Sequence, residues 1–379
     1  MKVLIVSITA GNGHNATAES VADEFERLRV GGADIEVARE DFLEYVGNFF
    51  YNFTDKGYTF LTLHFPELFG RTYDLLEHNE PARRVADILL ASDYISSRFG
   101  SYFRDHMPDV IVSTHYFAAS ALSKLKGEGR LSMPIIGINT DYCLHPFWED
   151  FKFLDYLVTA DPLLTDIIEK RGIERDRILP FGLPVRRKFL TCLDKAEARE
   201  LLSLDLKKRT VLVMGGSMGY GDIEGIVTEI LAMDGDYQVV AICGNNKQLL
   251  KSLHKIDDDD LHCLGFVNNV ELYMDAADCI VTKPGGLTST EFLAKNLPAI
   301  LVNPIPGPEQ RNMQFLCNSG CAMHAGKNFT VSEALRLMFD DPYRLPEMRA
   351  ALKRYSRPDS AARICEFAIR LCEGFGVTV

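Results

Sequence analysis

The stretch LIVSITAGNGHNATAESVADEF, residues 4–25, begins as an apolar run, breaks at a Gly-x-Gly turn and continues as a helical pattern. Apolar runs of this kind are typical of buried parallel strands, and their alternation with helices is typical of a doubly wound sheet. Such sheets bind ligands beyond the carboxyl ends of their strands, where loops and helix N-termini converge. The stretch therefore predicts a Rossmann-like domain that carries His14, a titratable ring, at its ligand-binding edge.

Runs of the same kind recur along both halves of the chain, so we expect an α/β protein with two Rossmann-like domains. DVIVSTHY, PIIGINTD and DYLVTAD lie in the first half, and RTVLVMGGS, YQVVAICGN and DCIVTKPGG in the second. Prolines and a glycine interrupt the pattern in PFGLPVRRKFL, which predicts a linker. The expected bounds are 1–184 and 185–355, followed by a helix at 356–379 that could pack back on the N-terminal domain.

Composition argues against several classes of protein. The 379 residues carry a formal net charge of −12, which disfavours a nucleic-acid binder held by diffuse positive charge. The N-terminus lacks the length and cleavage region of a signal peptide, and no stretch reaches the roughly 20 apolar residues of a spanning helix. Nine cysteines without a CxxC pair suit free thiols. These features predict a cytoplasmic protein.

Two glycine clusters in the second half are suited to phosphate. GGSMGYGDIEGIV (215–227) and PGGLTSTEFLA (284–294) each turn from a strand into a helix, which exposes backbone N–H groups at the positive end of a helix dipole. Ser217, Thr288 and Ser289 add hydroxyl donors. Each cluster alone could equally be a tight turn, whereas two clusters in one sheet favour a ligand.

Other nucleotide sites fit the sequence less well. Neither cluster matches the GxxxxGK[ST] pattern of a P-loop ATPase. GNGHNA satisfies a permissive dinucleotide fingerprint with Asp41 downstream, as in a dehydrogenase. His14 would then crowd the pyrophosphate, and the two clusters of the second half would have no role.

The sequence predicts no metal site and no cofactor. Apart from the acidic loop DDDD at 257–260, its one Asp-x-Asp is Asp234-Gly-Asp236, which precedes a strand and so belongs to a surface turn at the wrong end of the sheet. Without a carboxylate cage for Mg²⁺, the charge of a leaving group would be met by helix N-termini and backbone amides.

A longer segment carries a resemblance to a known family. GFVNNVELYMDAADCIVTKPGGLTSTEFLAKNLPAILVNPIPGPEQRN (265–312) resembles the nucleotide-sugar half of glycosyltransferase family 28. GNGHNATAESV and NTDYCLHPFW are similar to its glycerolipid branch, the processive diacylglycerol glucosyltransferases and monogalactosyldiacylglycerol synthases. The resemblance implies a GT-B fold, with two sheets facing across a cleft.

The same resemblance implies an activity. It is the inverting transfer of glucose or galactose from a UDP-sugar to diacylglycerol, which makes a β-glycosyl diacylglycerol. It also implies a peripheral enzyme on the inner face of the cell membrane, with an anionic lipid surface as a partner.

The resemblance further implies roles for particular residues on the donor side. Phe266 and Val267 would meet the uracil, and Glu291 the ribose hydroxyls. The remaining donor positions, for the diphosphate and then the sugar, are Gly215, Gly216, Ser217, Gly285, Gly286, Leu287, Thr288, Glu309, Gln310 and Asn312. The family usually has PGQExxN where this chain has PGPEQRN, so that Pro308 replaces a glutamine of the sugar site.

On the acceptor side, His14 falls on the glycine-loop histidine of the family. A histidine with an ordinary pKa near ~6.5 is suited to taking a hydroxyl proton, so we expect His14 to be the catalytic base rather than a mere polar residue of a first helical turn. Asp141 is expected to orient or support the base, and Gly13, His145 and Trp148 to shape the acceptor site. The alternative has Asp141 capping the next short helix and Trp148 packing. His115 is expected to be a satisfied histidine beside the sheet.

Residues 42–76 are dense in aromatic side chains. Such a segment suits core helices, or an amphipathic surface that reaches a lipid acceptor. The second possibility predicts a basic rim from Arg83, Arg84, Arg98, Arg186, Arg187 and Lys188.

Three other functions remain open. They are the lipid II branch that transfers N-acetylglucosamine, the nucleotide-sugar 2-epimerases, and a regulator that binds UDP-sugar without turnover, for which Pro308 is the argument.

Overall fold

The structure is a computed structural model that describes residues 1–9, 12–45, 70–71, 75, 98–103, 106–150 and 152–374. Gly11, Arg83, Arg84 and most of the aromatic segment 42–76 lie outside the described residues. The chain divides into two compact units. The N-terminal unit comprises Met1–Arg186, Pro306–Pro308 and Arg357–Val379, and the C-terminal unit comprises Arg187–Ile305 and Glu309–Ser356.

The N-terminal unit is built on a parallel sheet of six strands in the order β2-β1-β3-β4-β5-β6. Its strands are β1 (Lys2–Ser7), β2 (Glu36–Asp41), β3 (Val110–Ser113), β4 (Ile135–Ile138), β5 (Tyr156–Val158) and β6 (Ile178–Leu179). Its helices include α1 (Asn12–Val30), α2 (Tyr116–Gly127) and α3 (Thr165–Lys170). Four-residue runs such as β3 and β4 are buried along their whole length, because helices cover both faces of a parallel sheet.

The C-terminal unit repeats this plan with the strand order β12-β11-β10-β7-β8-β9, again parallel throughout. Its strands are β7 (Arg209–Met214), β8 (Tyr237–Ile242), β9 (Leu261–Leu264), β10 (Cys279–Thr282), β11 (Ala299–Leu301) and β12 (Ala322–His324). Its helices are α4 (Lys195–Leu201), α5 (Ile223–Leu231), α6 (Lys247–Leu253), α7 (Val270–Ala276), α8 (Gly286–Ala294), α9 (Pro308–Asn318, with Pro308 itself in the N-terminal unit), α10 (Val331–Asp340) and α11 (Arg344–Tyr355). The two parallel sheets confirm the α/β expectation.

The last helix, α12 (Ser360–Cys372), belongs to the N-terminal unit. Ile364 and Phe367 are buried in the same core as Phe25 of α1. The hydroxyl of Ser360 donates a hydrogen bond to the carbonyl oxygen of Gly182 at 2.7 Å. The amphipathic helix therefore completes the N-terminal core, although some 170 residues of the other unit precede it.

Phe42 and Leu43, at the start of the aromatic segment, lie in the core, whereas Leu75 near its end is 55% exposed. Phe42 is buried, and its ring meets that of Phe99 edge to face at a centroid distance of 5.2 Å. For Phe42, the core alternative is therefore correct. Among the helices that the structure describes, none is long and apolar enough to span a bilayer.

Candidate functional site

Three neighbouring strands of the N-terminal unit, β1, β3 and β4, deliver polar residues to one edge of the sheet. His14 lies in the first turn of α1, Thr114 follows β3, and Thr140 and Asp141 follow β4. The Nδ1 atom of His14 is 2.8 Å from the carbonyl oxygen of Thr114 and 3.4 Å from the hydroxyl of Thr140. The parallel register thus brings together residues that are 100 or more positions apart in the chain.

The hydrogen bond to Thr114 fixes the tautomer of His14. A carbonyl oxygen only accepts hydrogen bonds, so Nδ1 carries the proton and Nε2 keeps its lone pair. Burial lowers the pKa of the His14 ring, and the hydrogen bond to the Thr114 carbonyl opposes that change in part. The ring is therefore neutral at pH 7, with one nitrogen able to accept a proton.

His115 serves the structure of helix α2. It is the N-cap residue, and its Nδ1 atom accepts a hydrogen bond from the backbone N–H of Phe117 at 3.1 Å. Burial lowers its pKa well below the ordinary value, and the repulsion that a protonated His14 or His145 would exert lowers it further. Its ring lies edge-on to that of His14 at a centroid distance of 4.3 Å. His115 is thus a hydrogen-bonded histidine beside the sheet, as the sequence predicts, and its uncharged ring packs against the ring of His14.

His145 lies in a stack of aromatic rings. Its ring is parallel to that of Tyr116 at 4.5 Å and to that of Phe147 at 5.3 Å between centroids. Phe147 donates its backbone N–H to His145 Nδ1 at 3.4 Å. The stack fixes the orientation of the imidazole, while its expected contact with an acceptor stays a prediction.

The other residues expected near the acceptor occupy different positions. Trp148 is only 3% exposed, and a Cβ atom on Gly137 of β4 would come within 2.6 Å of its ring. The Trp148 ring therefore packs against the sheet, as the alternative has it, and its expected contact with an acceptor stays a prediction. Gly13 and Asp141 are half-buried at the edge of the sheet, so their roles stay predictions.

In the C-terminal unit, the loop at residues 215–221, here the first glycine loop, follows β7. Gly216, Gly219 and Gly221 have positive φ angles, and a Cβ on Gly215 would come within 2.2 Å of the Tyr220 carbonyl oxygen. The turn itself therefore requires these glycines. Helix α5 begins two residues later, and the carboxylate of its N-cap, Asp222, accepts the N–H of Gly225 at 3.0 Å. The Asp222 carboxylate therefore takes one N–H group of this helix N-terminus, while the expected contacts of the first glycine loop with phosphate stay predictions.

The loop at residues 283–288, here the second glycine loop, follows β10, the strand next to β7. Helix α8 begins at Gly286, and its N-cap, Gly285, makes no side-chain capping hydrogen bond. No acidic residue lies in the first turn, where Leu287 and Thr288 are half-buried. The backbone N–H groups of this turn are thus suited to bind an anion. Ser289 is fully buried, so the expectation that its hydroxyl serves as a donor is wrong.

Lys283, which was not among the predicted site residues, lies where the two glycine loops meet. A Cβ on Gly216 would be 3.2 Å from its Cε atom, and a Cβ on Gly285 would be 3.7 Å from its Nζ atom. Its ammonium group forms an ion pair with Glu309 Oε1. A cation directly before the proline of a glycine loop was the signal in the sequence. Ser217, also half-buried, belongs to the first of these loops.

Helix α9 carries the three polar residues that were expected to face a sugar. Glu309 lies beside Lys283, and its other oxygen accepts the N–H of Ile305 at 2.9 Å. Gln310 is exposed, so its role stays a prediction. Asn312 is fully buried and donates to the carbonyl oxygen of Pro284 at 3.0 Å. The expectation that Asn312 faces the sugar is wrong, because its amide supports the second glycine loop.

Pro308 is the first residue of α9. Its fixed φ angle suits this position, where a backbone N–H has no partner within the helix. The replacement of the glutamine of the family is therefore compatible with the helix.

The residues expected to meet uridine lie on other elements of the C-terminal unit. Phe266 follows β9 and is 56% exposed, which leaves a ring face for stacking. Val267 is half-buried next to it, and Glu291 is buried in the second turn of α8. Their expected contacts with uracil and ribose stay predictions.

One lysine of the predicted basic rim is paired with a carboxylate. Lys188 pairs with Glu271 at 2.8 Å and donates to the carbonyl oxygen of Asn268. Its charge is thus compensated within the C-terminal unit. Arg187 is exposed, Arg186 is half-buried, and Arg98 lies on a helical stretch.

Two parallel α/β units, one with a fixed histidine and one with a loop suited to bind an anion, point to a class of protein, the glycosyltransferases of GT-B fold. Solved structures agree with this fold. Acinetobacter baumannii MurG matches with a TM-score of 0.60 at 14% identity, over 97% of this chain and 99% of that one. UDP-GlcNAc 2-epimerase from Neisseria meningitidis, bound to UDP-GlcNAc, matches with a TM-score of 0.60 at 12% identity, over 98% and 100%.

Family models give the particular family. Residues 14–185 match the model described as Monogalactosyldiacylglycerol (MGDG) synthase, and residues 210–364 match the Glycosyltransferase family 28 C-terminal domain. A processive diacylglycerol beta-glucosyltransferase of Bacillus cytotoxicus is 26% identical over 375 residues, 96% of this chain and 92% of that protein. The chain belongs to the glycosyltransferases that combine these two domains, and the resemblance is confirmed.

Proposed function

We propose that this glycosyltransferase moves a hexose from a UDP-sugar to diacylglycerol with inversion at the anomeric carbon, and so makes a β-glycosyl diacylglycerol. The observation that carries the proposal is the geometry of His14, a neutral ring whose Nδ1 is held by Thr114 while Nε2 keeps its lone pair. The names of the Bacillus relatives support diacylglycerol as acceptor and glucose as the sugar.

The chemistry is a single displacement. The hydroxyl oxygen of diacylglycerol attacks the anomeric carbon from the face opposite UDP, the bond from that carbon to the diphosphate oxygen breaks, and UDP leaves. Nε2 of His14 takes the hydroxyl proton, so that charge does not build up on the attacking oxygen. Asp141 is assigned to orient or stabilise the ring once it is charged.

The donor side must stabilise the charge that develops on UDP. The uncapped N-terminus of α8 and the ammonium group of Lys283 lie together in the C-terminal unit. A helix N-terminus and a cation are suited to this task without a metal ion. We therefore propose that the reaction requires no metal or other cofactor, and that Phe266, Val267 and Glu291 hold the uridine.

The proposed acceptor determines the cellular surface at which the enzyme acts. Diacylglycerol lies in a bilayer, so we propose that the enzyme acts as a peripheral protein on the inner face of the cell membrane. Anionic lipid would be its surface partner. Liposome flotation with and without an anionic lipid tests this; equal recovery with neutral and anionic vesicles would exclude a role for surface charge.

The experiment that tests the function is UDP release from UDP-glucose and from UDP-galactose, with and without diacylglycerol in mixed micelles, in the presence of EDTA. We expect release that needs both UDP-glucose and the lipid, and that EDTA does not reduce. UDP binding without release under any of these conditions would favour a UDP-sugar-binding regulator. Release that depends on lipid II would indicate the other transferase branch.

A further inference from the structure

The ion pair of Lys283 and Glu309 lies at the N-terminus of α8. A Cβ on Gly285, the N-cap, would be 3.7 Å from Lys283 Nζ and 3.6 Å from Glu309 Oε1. The side chains are only 20% and 13% exposed. A carboxylate and its cation are thus held against the backbone of the turn that is best suited to bind an anion.

Glu309 is fixed in this position from two directions. One carboxylate oxygen pairs with Lys283, and the other accepts the backbone N–H of Ile305 at 2.9 Å. A negative group near an uncapped helix N-terminus is favourable, because the unpaired N–H groups there carry partial positive charge. The Glu309 carboxylate therefore satisfies, from within the chain, the charge preference that a phosphate would satisfy.

Lys283 is the first residue of the second glycine loop, and its side chain is also within contact distance of the first glycine loop. Its Cε atom lies 3.2 Å from the Cβ position of Gly216, in the loop after the neighbouring strand. A larger residue at Gly216 would push this side chain aside. The structure therefore places the charge of this lysine against both loops assigned to the diphosphate.

We propose that Glu309 is an internal substitute for the donor diphosphate, and that Lys283 exchanges this carboxylate for the diphosphate when the donor binds. The inference rests on the proposed function for the identity of the ligand, a nucleoside diphosphate. In this exchange one ion pair breaks and another forms, and no covalent bond changes. Lys283 then supplies the positive charge that a metal ion supplies in other transferases.

The exchange predicts opposite effects for the two partners of one ion pair. Lys283→Gln removes the cation and is expected to weaken UDP binding about 10- to 100-fold, the range for a hydrogen bond to a charged group. Glu309→Gln removes the competing carboxylate but keeps an oxygen for the N–H of Ile305, and is expected to tighten UDP binding several-fold. Lys283→Arg keeps the charge and is expected to retain most of the affinity.

The experiment is calorimetric titration of the full-length protein and these variants with UDP, uridine and inorganic pyrophosphate. Uridine has no phosphate, so its affinity is expected to be the same in all of them. Lys208 and Asp260 supply a matched control, since they form an ion pair of 2.5 Å at the amino end of β7. Lys208→Gln and Asp260→Asn are expected to leave UDP affinity unchanged.

The outcomes separate this proposal from the proposed function. Equal weakening of UDP binding by Lys283→Gln and Glu309→Gln, or equal losses for uridine and UDP, would show a merely structural ion pair and overturn the exchange. A thermal melt of each variant reports whether the fold is intact, and Lys283→Arg covers the case in which Lys283→Gln does not fold. Wild-type protein that binds UDP but transfers no hexose to diacylglycerol would refute the proposed function alone. Wild-type protein that binds neither UDP nor pyrophosphate would overturn the exchange.

Discussion

The Nδ1 atom of His14 lies 2.8 Å from the carbonyl oxygen of Thr114. This contact joins the first turn of α1 to the end of β3, and the neighbouring positions of β1 and β3 in the sheet make it possible. It orients the ring so that Nδ1–H donates a hydrogen bond to the Thr114 carbonyl oxygen and Nε2 keeps the basic lone pair.

His14→Ala is expected to lower turnover about 10²- to 10⁴-fold, the usual contribution of a general base. UDP affinity should not change, because His14 belongs to the N-terminal unit and the donor loops to the C-terminal unit. Initial rates of UDP release and a UDP titration measure the two quantities. Turnover close to that of the wild type would exclude His14 as the base.

The pH dependence of the rate follows from the protonation of His14. A base must be deprotonated to act, and burial lowers the pKa of this ring below its ordinary value. The midpoint of the acidic limb of the rate is therefore expected below pH 6.5. A pH profile of kcat/KM checks this. An acidic limb with its midpoint well above 6.5 would mean that another group is the base.

His115 is expected to make the N-terminal unit sensitive to acid. Its pKa in the folded state is well below 6.5 because the ring is buried. Above pH 6.5 this ring is unprotonated in both the folded and the unfolded protein. Below pH 6.5 the ring takes up a proton in the unfolded protein but not in the folded one, so the free energy of unfolding falls by at most about 1.4 kcal/mol per pH unit. His115→Asn retains a capping acceptor but removes the titration, so its urea midpoint should fall less between pH 7.5 and pH 5.5.

His115→Ala provides the comparison for that measurement. It removes both the titration and the cap, so it should cost about 1 kcal/mol more than His115→Asn at pH 7.5. If the two variants lost the same stability at pH 7.5, the capping role would be wrong. If His115→Asn lost as much as the wild type on acidification, the acid sensitivity would come from other groups.

Gly285→Ala and Gly215→Ala separate a binding glycine from a structural one. Gly285 has φ −70° and ψ 142°, which alanine adopts, and its Cβ would meet only side-chain ends at 3.6 and 3.7 Å. Its melting temperature should thus be near that of the wild type, while the new methyl group at the anion site weakens UDP binding. In Gly215→Ala the methyl group would meet the Tyr220 carbonyl oxygen at 2.2 Å, so the protein should be less stable.

Melting curves and UDP titrations of both glycine variants test these two expectations. Unchanged UDP affinity in a folded Gly285→Ala variant would mean that the diphosphate does not approach this turn. A Gly215→Ala variant as stable as the wild type would mean that the first glycine loop rearranges at little cost.

Asn312→Ala is expected to lower both stability and donor binding. Its amide is buried and donates to the Pro284 carbonyl oxygen at 3.0 Å, so its loss leaves that acceptor unpaired at a cost of about 1–3 kcal/mol. The second glycine loop then loses its support and UDP binds more weakly. Asn318→Ala, at the exposed end of the same helix, is the control and should change neither property. A destabilised Asn312→Ala variant with full UDP affinity would restrict Asn312 to folding.

The periodicity of apolar residues predicted much of the fold. Short apolar runs such as those of β3, β7 and β10 are recognisable because both faces of a parallel sheet are covered, and helices must then alternate with them. The same rule gave the edge at which His14, the first glycine loop and the second glycine loop would lie. It could not give the state of each group, which depends on neighbours that are distant in the chain.

Asn312, Trp148 and Lys283 illustrate that limit. An asparagine near a loop can face a ligand or hold a carbonyl, and only the position of Pro284 decides that Asn312 does the second. A lone tryptophan can line a site or pack, and only Gly137 beneath its ring shows that Trp148 packs. Lys283 gained a candidate role once Gly216, 67 positions earlier, was found beside it.

The sequence by itself therefore determined the α/β class, the glycine loops and the histidine of the first turn, because strand and helix periodicity and backbone preferences are local properties. The tertiary structure alone decided which nitrogen of His14 is basic and which carboxylate Lys283 holds. Each of these depends on the distance between two groups far apart in the chain, and sheet register sets that distance.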